Sequence, residues 1–447
     1  MVQLTLDEPE VGKTAARPGR ARRAWLLSLL TTAFGLNLLD RQVINVLAEP
    51  IKHDLHLADW QLGALTGLSF AILYGIAGLP IARVADRGDR VRVIGLAVLA
   101  WSVFTAACGL AANFWQLLVL RVGVGLGEAG CSPPSQSLIA DHYPPAKRAG
   151  ALATFFIGSP VGASLGLLAG GILADSLGWR GALICAGGPG LLIGLLALTT
   201  LKDPPHGARA PQLPLYETLA SLAARRSFVW LAMGYALLSF MNYECMTFAG
   251  SYFLRVHGAD LAVLKTETHL GPIGLIGAGM GLSGMLFGAL GSVIGGWLGD
   301  RYGPRDPRNL ALIPALGSLV CTAGYVAMFT APGAWGLLVF VVPSLGSNLW
   351  AGPGTLAFQK LAGPRARATV MAVVLLASTL IGMGLGPLSV GVLSDVYSRS
   401  LGAAEGLRAA VLTGLVAGGL SVVAYAFGSR RLAADLDAAQ KAEGSAA

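Results

Sequence analysis

The chain has 447 residues, 54% hydrophobic and only 13% charged, with a mean hydropathy of +0.64, whereas soluble domains carry about a quarter charged residues. That balance excludes a soluble enzyme and makes this an integral membrane protein. The formal net charge of +8 comes from residues spread over many short loops, whereas a nucleic-acid binder gathers them on one face; no nucleic-acid partner is expected.

A polar tail over residues 1–23 precedes the first apolar span, Ala24 to Ala48, which Asp40-Arg41 interrupts. No small-x-small cleavage site follows it, so it reads as a transmembrane helix and not as a signal peptide. Uncharged runs able to cross ~30 Å of hydrocarbon in ~20 residues follow at Trp60 to Ala82, Val93 to Leu120, Ala149 to Ala174, Gly181 to Leu201, Thr268 to Gly299, Ala368 to Ser394 and Ala409 to Ser429. The run from Asn309 to Gln359 holds two crossings and breaks at Thr330-Ala331-Pro332-Gly333. Two less pure spans complete the set: Phe114 to Ala140, with Arg121 and, midway, Glu128, and Phe228 to Leu254, with Glu244. The expected fold is all-α: twelve transmembrane helices in two six-helix bundles, 24–201 and 228–429, joined by a linker over 202–227 and closed by a tail over 430–447.

Of the 32 Lys and Arg, all but Arg41 and Arg121 fall outside these spans. Only Lys52, Arg180, Arg255, Lys265, Arg399 and Arg408 lie opposite the termini, so the positive-inside rule puts both termini in the cytoplasm. Short loops and an Ala/Gly/Arg-rich composition suggest a bacterial inner membrane. Cys108, Cys131, Cys185, Cys245 and Cys321 have no paired spacing and read as small packing residues. No metal-binding or nucleophile motif occurs. Two GxGxxG stretches, Gly125 to Gly130 and Gly279 to Gly284, lie inside apolar helices and are decoys for a dinucleotide site; no cofactor, metal or enzymatic activity is expected.

The chain repeats itself. Ala82-Arg83-Val84-Ala85-Asp86-Arg87-Gly88-Asp89-Arg90 separates the second and third spans, and Gly296-Trp297-Leu298-Gly299-Asp300-Arg301-Tyr302-Gly303 does the same later, at 300 − 86 = 214 residues' distance. Repetition at that period points to a transporter built from two like halves that rock about a central site. Asp86, Arg87, Arg90, Asp300 and Arg301, with Asp141 and Arg148 nearby at the cytoplasmic end of the fourth helix, are the expected conformational gate. Their carboxylates suit helix N-termini and their guanidinium groups suit carboxylates. This loop resembles the signature loop of the major facilitator superfamily, with Ala82 where that family usually has Gly. Arg121-x-x-x-Gly125-x-Gly127-Glu128-Ala129 matches its fourth helix. Gly158-x-Pro160-x-Gly162, with Gly166 and Gly170, looks like the glycine-proline helix of its antiporters, although small residues four apart also simply let helices pack closely.

Charges inside the bilayer carry the function, because each costs at least ~2.5 kcal/mol unless it faces a cavity or a partner. Asn37, Asp40 and Arg41 share one face of the first helix, and Arg121 and Glu128 one face of the fourth. Asp40 and Glu128 are the candidate proton-coupling acids. Arg41, Arg121, Asn37, Tyr243 and Glu244 are the candidate substrate contacts. A permanent ion network is the alternative for the charged set, and Glu244 lines the cavity or sits near an outer boundary. Phe155, Phe156, Phe240, Met241, Tyr243, Met246 and Phe248 could line an apolar cavity, with ordinary helix packing the stronger role at this spacing.

The stretches Asn37 to Gln42, Val46 to Lys52, Gly125 to Pro134 and Ile139 to Pro145 resemble the spinster family of lysolipid and sphingoid-phosphate transporters. The resemblance is close over the first six helices and architectural beyond. It implies proton-linked movement of an amphipathic lipid by alternating access, with proton-sensitive carboxylates at Asp40 and Glu128. An organic-anion/proton symporter is the alternative, though its fourth helix usually continues into bulky aromatics where this chain has Cys131-Ser132-Pro133-Pro134. A receptor or scaffold would need neither the paired acids nor the duplicated loop, and a channel would not need Gly-rich packing helices. The expected partners are a lipid-like substrate, protons and membrane lipids, and the expected state is a monomer.

Overall fold

A computed structural model describes residues 19–69, 71, 80–81, 84–85, 88–204, 221–363 and 366–444. The signature-loop residues Asp86 and Arg87, most of the linker and the outermost tails lie outside the described residues.

The described chain is helical, without a strand. Helix α1 spans Arg20–Val46, α2 Ala48–Leu55, and α3 Asp59–Gly63, continued by a π turn over Ala64–Leu68. Helix α4 (Arg90–Cys108) starts where the Asp89 carboxylate accepts from the Arg92 amide at 3.0 Å, and α5 (Phe114–Glu128) where Asn113 accepts from Gln116 at 3.0 Å. Such caps satisfy amides that the first turn leaves without partners. The fourth span, read from sequence as one helix to Ala140, breaks immediately after Glu128 and resumes as α6 (Ser132–His142). Pro133 and Pro134 force the break: a proline fits the first turn of a helix and destabilises its interior. Glu128 therefore ends a helix and is not midway along one.

Helix α7 (Pro145–Thr200) holds two spans that fold back at Gly178, where φ is 69°, a left-handed value that favours glycine. The second half of the chain follows the same plan: α8 Arg226–Val256, α9 Gly258–Thr268, α10 Pro272–Tyr302 and α11 Asn309–Thr330. A short turn at Gly333–Trp335 leads to α12 (Gly336–Val339), α13 (Val341–Asn348) and α14 (Ala351–Ala362). Then come α15 (Arg367–Ala377), a π segment Ser378–Leu385, α16 (Gly386–Gly414) with a second fold-back at Gly402, and α17 (Val416–Gly444). Six helical stretches among the described residues are long and apolar enough to cross a membrane; two of them, of 51 and 71 residues, are long enough to cross more than once.

Small residues set the helix spacing. Gly158, Gly162 and Gly166 of α7 lie so close to the α1 backbone at Thr31, Gly35 and Leu39 that none has room for a β-carbon. The glycine-proline segment is thus a packing surface, and it fixes the face that α1 turns to the bundle interior. Phe155, Met241 and Phe248, weighed above as cavity lining, are fully buried in the core, and Phe155 stacks on Phe34 at 4.6 Å. Cys185 is exposed and is not the packing residue expected of it.

The main apolar core runs through both halves, whereas Phe228, Leu310, Phe358, Leu361, Tyr425 and Leu432 form a separate core in the second half alone. That smaller core lies at the face carrying the termini, where the Ser227 amide and hydroxyl donate to Asp435 at 2.9 and 2.6 Å. We refer to this as the terminal face and to its opposite as the far face.

Gly162→Leu is expected to abolish a monodisperse peak in size-exclusion chromatography or to lower Tm markedly, because overpacking a rigid backbone contact costs at least about 1–3 kcal/mol. Leucine at Gly188, where a β-carbon meets nothing within 4 Å, leaves Tm unchanged.

Candidate functional site

The α7 ladder orients α1 so that Asn37 and Asp40 are buried, with Arg41 partly so. Arg41 reaches α5, and its Nε donates to Glu128 Oε2 at 2.7 Å. The pair has a local cause: Glu128 is the last residue of α5, where helix carbonyls concentrate negative potential, so its carboxylate needs a cation. Asp40 Oδ2 accepts from Thr105 of α4 at 3.1 Å. Arg121 stands one helical face from Glu128 and acts electrostatically on both Asp40 and Glu128, and Asn37 lies beside Glu128. The four charged residues read from sequence as one cluster are one cluster. Asp40 is 2% exposed, and Glu128 and Arg121 are each 1% exposed.

Hydrogen bonding in the cluster is incomplete. Arg121 Nε and Nη2, Asp40 Oδ1 and Glu128 Oε1 are buried without a hydrogen-bond partner among the described residues. Buried polar groups left this way cost roughly 1–3 kcal/mol each, more when charged.

Glu244 is not part of this cluster. It is fully buried inside the second half, its carboxylate against Gly414, where a β-carbon would collide with it. The suggestion that it lines the central cavity does not hold in this structure. Neighbouring Tyr243 is half-buried.

The gate residues are distributed differently from one another. Arg90 is buried between Asp141 (2.5 Å) and Asp203 (2.6 Å), and also bonds Ser137 at 2.8 Å. Burial opposes its charge, but the hydrogen bonds and charges of the two aspartates more than offset that and raise its pKa. Asp203, just beyond α7, was not singled out from sequence. Arg148 donates to the Tyr143 carbonyl at 3.1 Å. Asp300 and Arg301 are exposed, with the Arg301 guanidinium 5.7 Å from the Trp297 ring.

Sequence reasoning missed the densest polar cluster, which joins the halves at the far face. Arg255, near the end of α8, donates to Glu49 of α2 (2.7 and 2.7 Å) and to Asp59 of α3 (2.9 and 2.7 Å). Lys52 and Ser394 each add a bond to Asp59 at 2.6 Å. The available signal was that Lys52 and Arg255 are two of the few basic residues predicted on that side. Burial pushes the Asp59 carboxyl up, but the hydrogen bonds and charge of Arg255, with Lys52 and Ser394, outweigh it and hold the group well below its ordinary 3.8.

Because that group titrates lower when folded, its contribution to stability is complete above about pH 4 and disappears as pH falls further. Melting curves in detergent are expected to show wild-type Tm dropping below about pH 4, and Asp59→Asn to have a lower neutral Tm with a shallower acid decline. An acid decline identical in the variant assigns it to other groups.

The family model of the Major Facilitator Superfamily matches residues 30–387. An MFS-type efflux pump of Mycolicibacterium smegmatis is 33% identical over 421 residues, covering 93% of this chain and 95% of the relative. Human protein spinster homolog 1 is 28% identical over 87% of this chain and 75% of its own length. Among solved structures, a bacterial homolog of the human lysosomal transporter Spinster, in an inward-facing and unoccupied conformation, superposes with a TM-score of 0.82 at 32% identity over 94% of this chain and 99% of that one.

Proposed function

This chain belongs to the Major Facilitator Superfamily, and from that premise we propose that it is a proton-coupled transporter that moves an anionic or zwitterionic amphipathic lipid across the membrane by alternating access. The observation that carries the reading is the buried Arg121 guanidinium, with two donor nitrogens unbonded, beside the Arg41–Glu128 pair. Arginine stays charged and presents a planar fork that matches phosphate or carboxylate, so an anionic headgroup completes the bonding that the protein leaves open. The similarity to spinster homologs and to an efflux pump supports transport across the membrane, and the spinster-like segments of the first six helices support an amphipathic substrate.

In the mechanism we infer, the Arg41–Glu128 bond is the exchangeable element. A proton on Glu128 removes the charge that Arg41 pairs with; the headgroup then takes Arg41 and Arg121, with Asn37 within reach. Loss of the proton restores the ion pair and displaces the headgroup. Asp40, held by Thr105, acts as the second proton acceptor. The headgroup and the ionised Glu128 carboxylate compete for the same guanidinium groups, so protonation and headgroup binding promote each other, which is the linkage of symport. The Arg90–Asp141–Asp203 cluster, with Arg148 and the signature-loop residues, serves as the gate on the terminal face. By the distribution of Lys and Arg, that face is cytoplasmic in a bacterial inner membrane.

In proteoliposomes with an imposed pH gradient, Glu128→Gln is expected to lose gradient-driven movement of a lysophospholipid while keeping Tm within a few degrees; gradient dependence equal to wild type removes Glu128 from the mechanism. In a thermal-shift series, lysophospholipids and sphingoid phosphates should raise wild-type Tm, and Arg121→Ala should need about tenfold or more ligand for the same shift, since hydrogen bonds to a charged group contribute roughly 1.5–3 kcal/mol. A rise caused only by small organic acids favours the organic-anion reading.

A further inference from the structure

At the far face two helices begin with amides that their own N-cap residues do not receive; in α3 the Gln61 side chain accepts only from the Ala58 amide, at 2.8 Å. Ala58 precedes α3 and Gly271 precedes α10, and neither has a side-chain oxygen to receive the first amides. In both cases a carboxylate from the other half does so. Asp395 of α16 accepts from the Asp59 amide through Oδ1 (3.0 Å) and from the Trp60 amide through Oδ2 (2.9 Å). Asp175 of α7 accepts from the Ile273 amide through Oδ1 (3.3 Å) and from the Gly274 amide through Oδ2 (2.7 Å).

The two arrangements are copies of each other. The amides are offset by 273 − 59 = 214 and 274 − 60 = 214 residues, the spacing of the duplicated Asp-Arg loop, and the carboxylates by 395 − 175 = 220. Beneath each cap the backbones touch. Gly63 and Gly67 have no room for a β-carbon against Pro387 and Met383, and Gly277 and Gly281 none against Leu167 and Ser164; these pairs repeat the offset of 214.

We propose that Asp175 and Asp395 are paired positioning residues that latch the far face shut, each half holding the helix end that the other leaves uncapped. Opening that face withdraws both carboxylates and exposes four amides at two helix N-termini, where the dipole favours an anion. On the α3 side the latch is reinforced by the Arg255 ion cluster, since Asp59 gives its amide to Asp395 and receives Arg255 on its carboxylate; that cluster does not reach the α10 side, where Asp175 holds the Ile273 and Gly274 amides. This rests on the alternating-access reading above.

The test is a distance measurement by electron spin resonance on the purified full chain, with nitroxides at Leu110→Cys and Lys265→Cys in a Cys185→Ala background. Asp175→Ala with Asp395→Ala is expected to raise the ratio of far-face-open to closed molecules by roughly tenfold or more. The corresponding double asparagine variant keeps one acceptor per helix and should fall between it and the parent. That graded order is the signature of capping; a generally loosened fold would not restore with asparagine. A distance distribution like the parent's in the double alanine variant, or in the double asparagine variant should alanine fail to fold, overturns the latch. Arg255→Ala separates the two ideas: if it opens the far face while the aspartate variants do not, the latch is wrong and alternating access stands. If no variant, Arg255→Ala included, changes the distance, both fail.

Discussion

Hydrocarbon does not tolerate a lone charge, and most of the polar architecture follows from that constraint. Water cannot solvate Arg41, Arg121, Asp40 and Glu128 at their depth in the bundle, so the helices carrying them are arranged to bring opposite signs together. The Arg41–Glu128 contact at 2.7 Å joins α1 to α5 through the only kind of partner that either group can accept there. The arrangement is strong as an ion pair and poor as a hydrogen-bond network, since donors and acceptors of Arg121, Asp40 and Glu128 remain unbonded.

The ion pair in turn depends on backbone packing. With the α7 glycines pressed on Thr31, Gly35 and Leu39, α1 cannot rotate freely, and rotation by one residue would swing Arg41 about 100° away from α5. Glu128 is positioned by a different device, the chain break imposed by Pro133 and Pro134. Two apolar features, a glycine ladder and a proline pair, therefore determine where the charges meet. In the second half Glu244 is packed against Gly414, and among the described residues both its carboxylate oxygens are also buried without a hydrogen-bond partner.

Features read from local pattern were legible in the sequence: apolar runs, the break at Thr330 to Gly333, and the shared faces of Asn37, Asp40 and Arg41 and of Arg121 and Glu128. They follow from helix period and bilayer thickness, which depend on neighbouring residues alone. Residues whose role is set by a distant part of the chain were not legible. Asp203 meets Arg90 across 113 positions and Arg255 meets Glu49 across 206, and no periodicity links such positions. Glu244 misled because an acid in an apolar span looks the same in sequence whether it faces a cavity or a neighbouring glycine.

The far-face contacts show what the duplication supplies. A repeat offset by 214 residues was plain in the Asp-Arg loop because the residues themselves recur. The same offset relates the amides at Asp59 and Ile273, where the side chains at the helix start differ while Gly63 and Gly67 recur as Gly277 and Gly281. Duplication preserved the place where a helix begins and the carboxylate that meets it, while the residue at the helix start was free to change, because an amide is the same donor whatever side chain it carries. The charges at the center of the molecule are asymmetric between the halves, whereas the caps at the far face repeat from one half to the other.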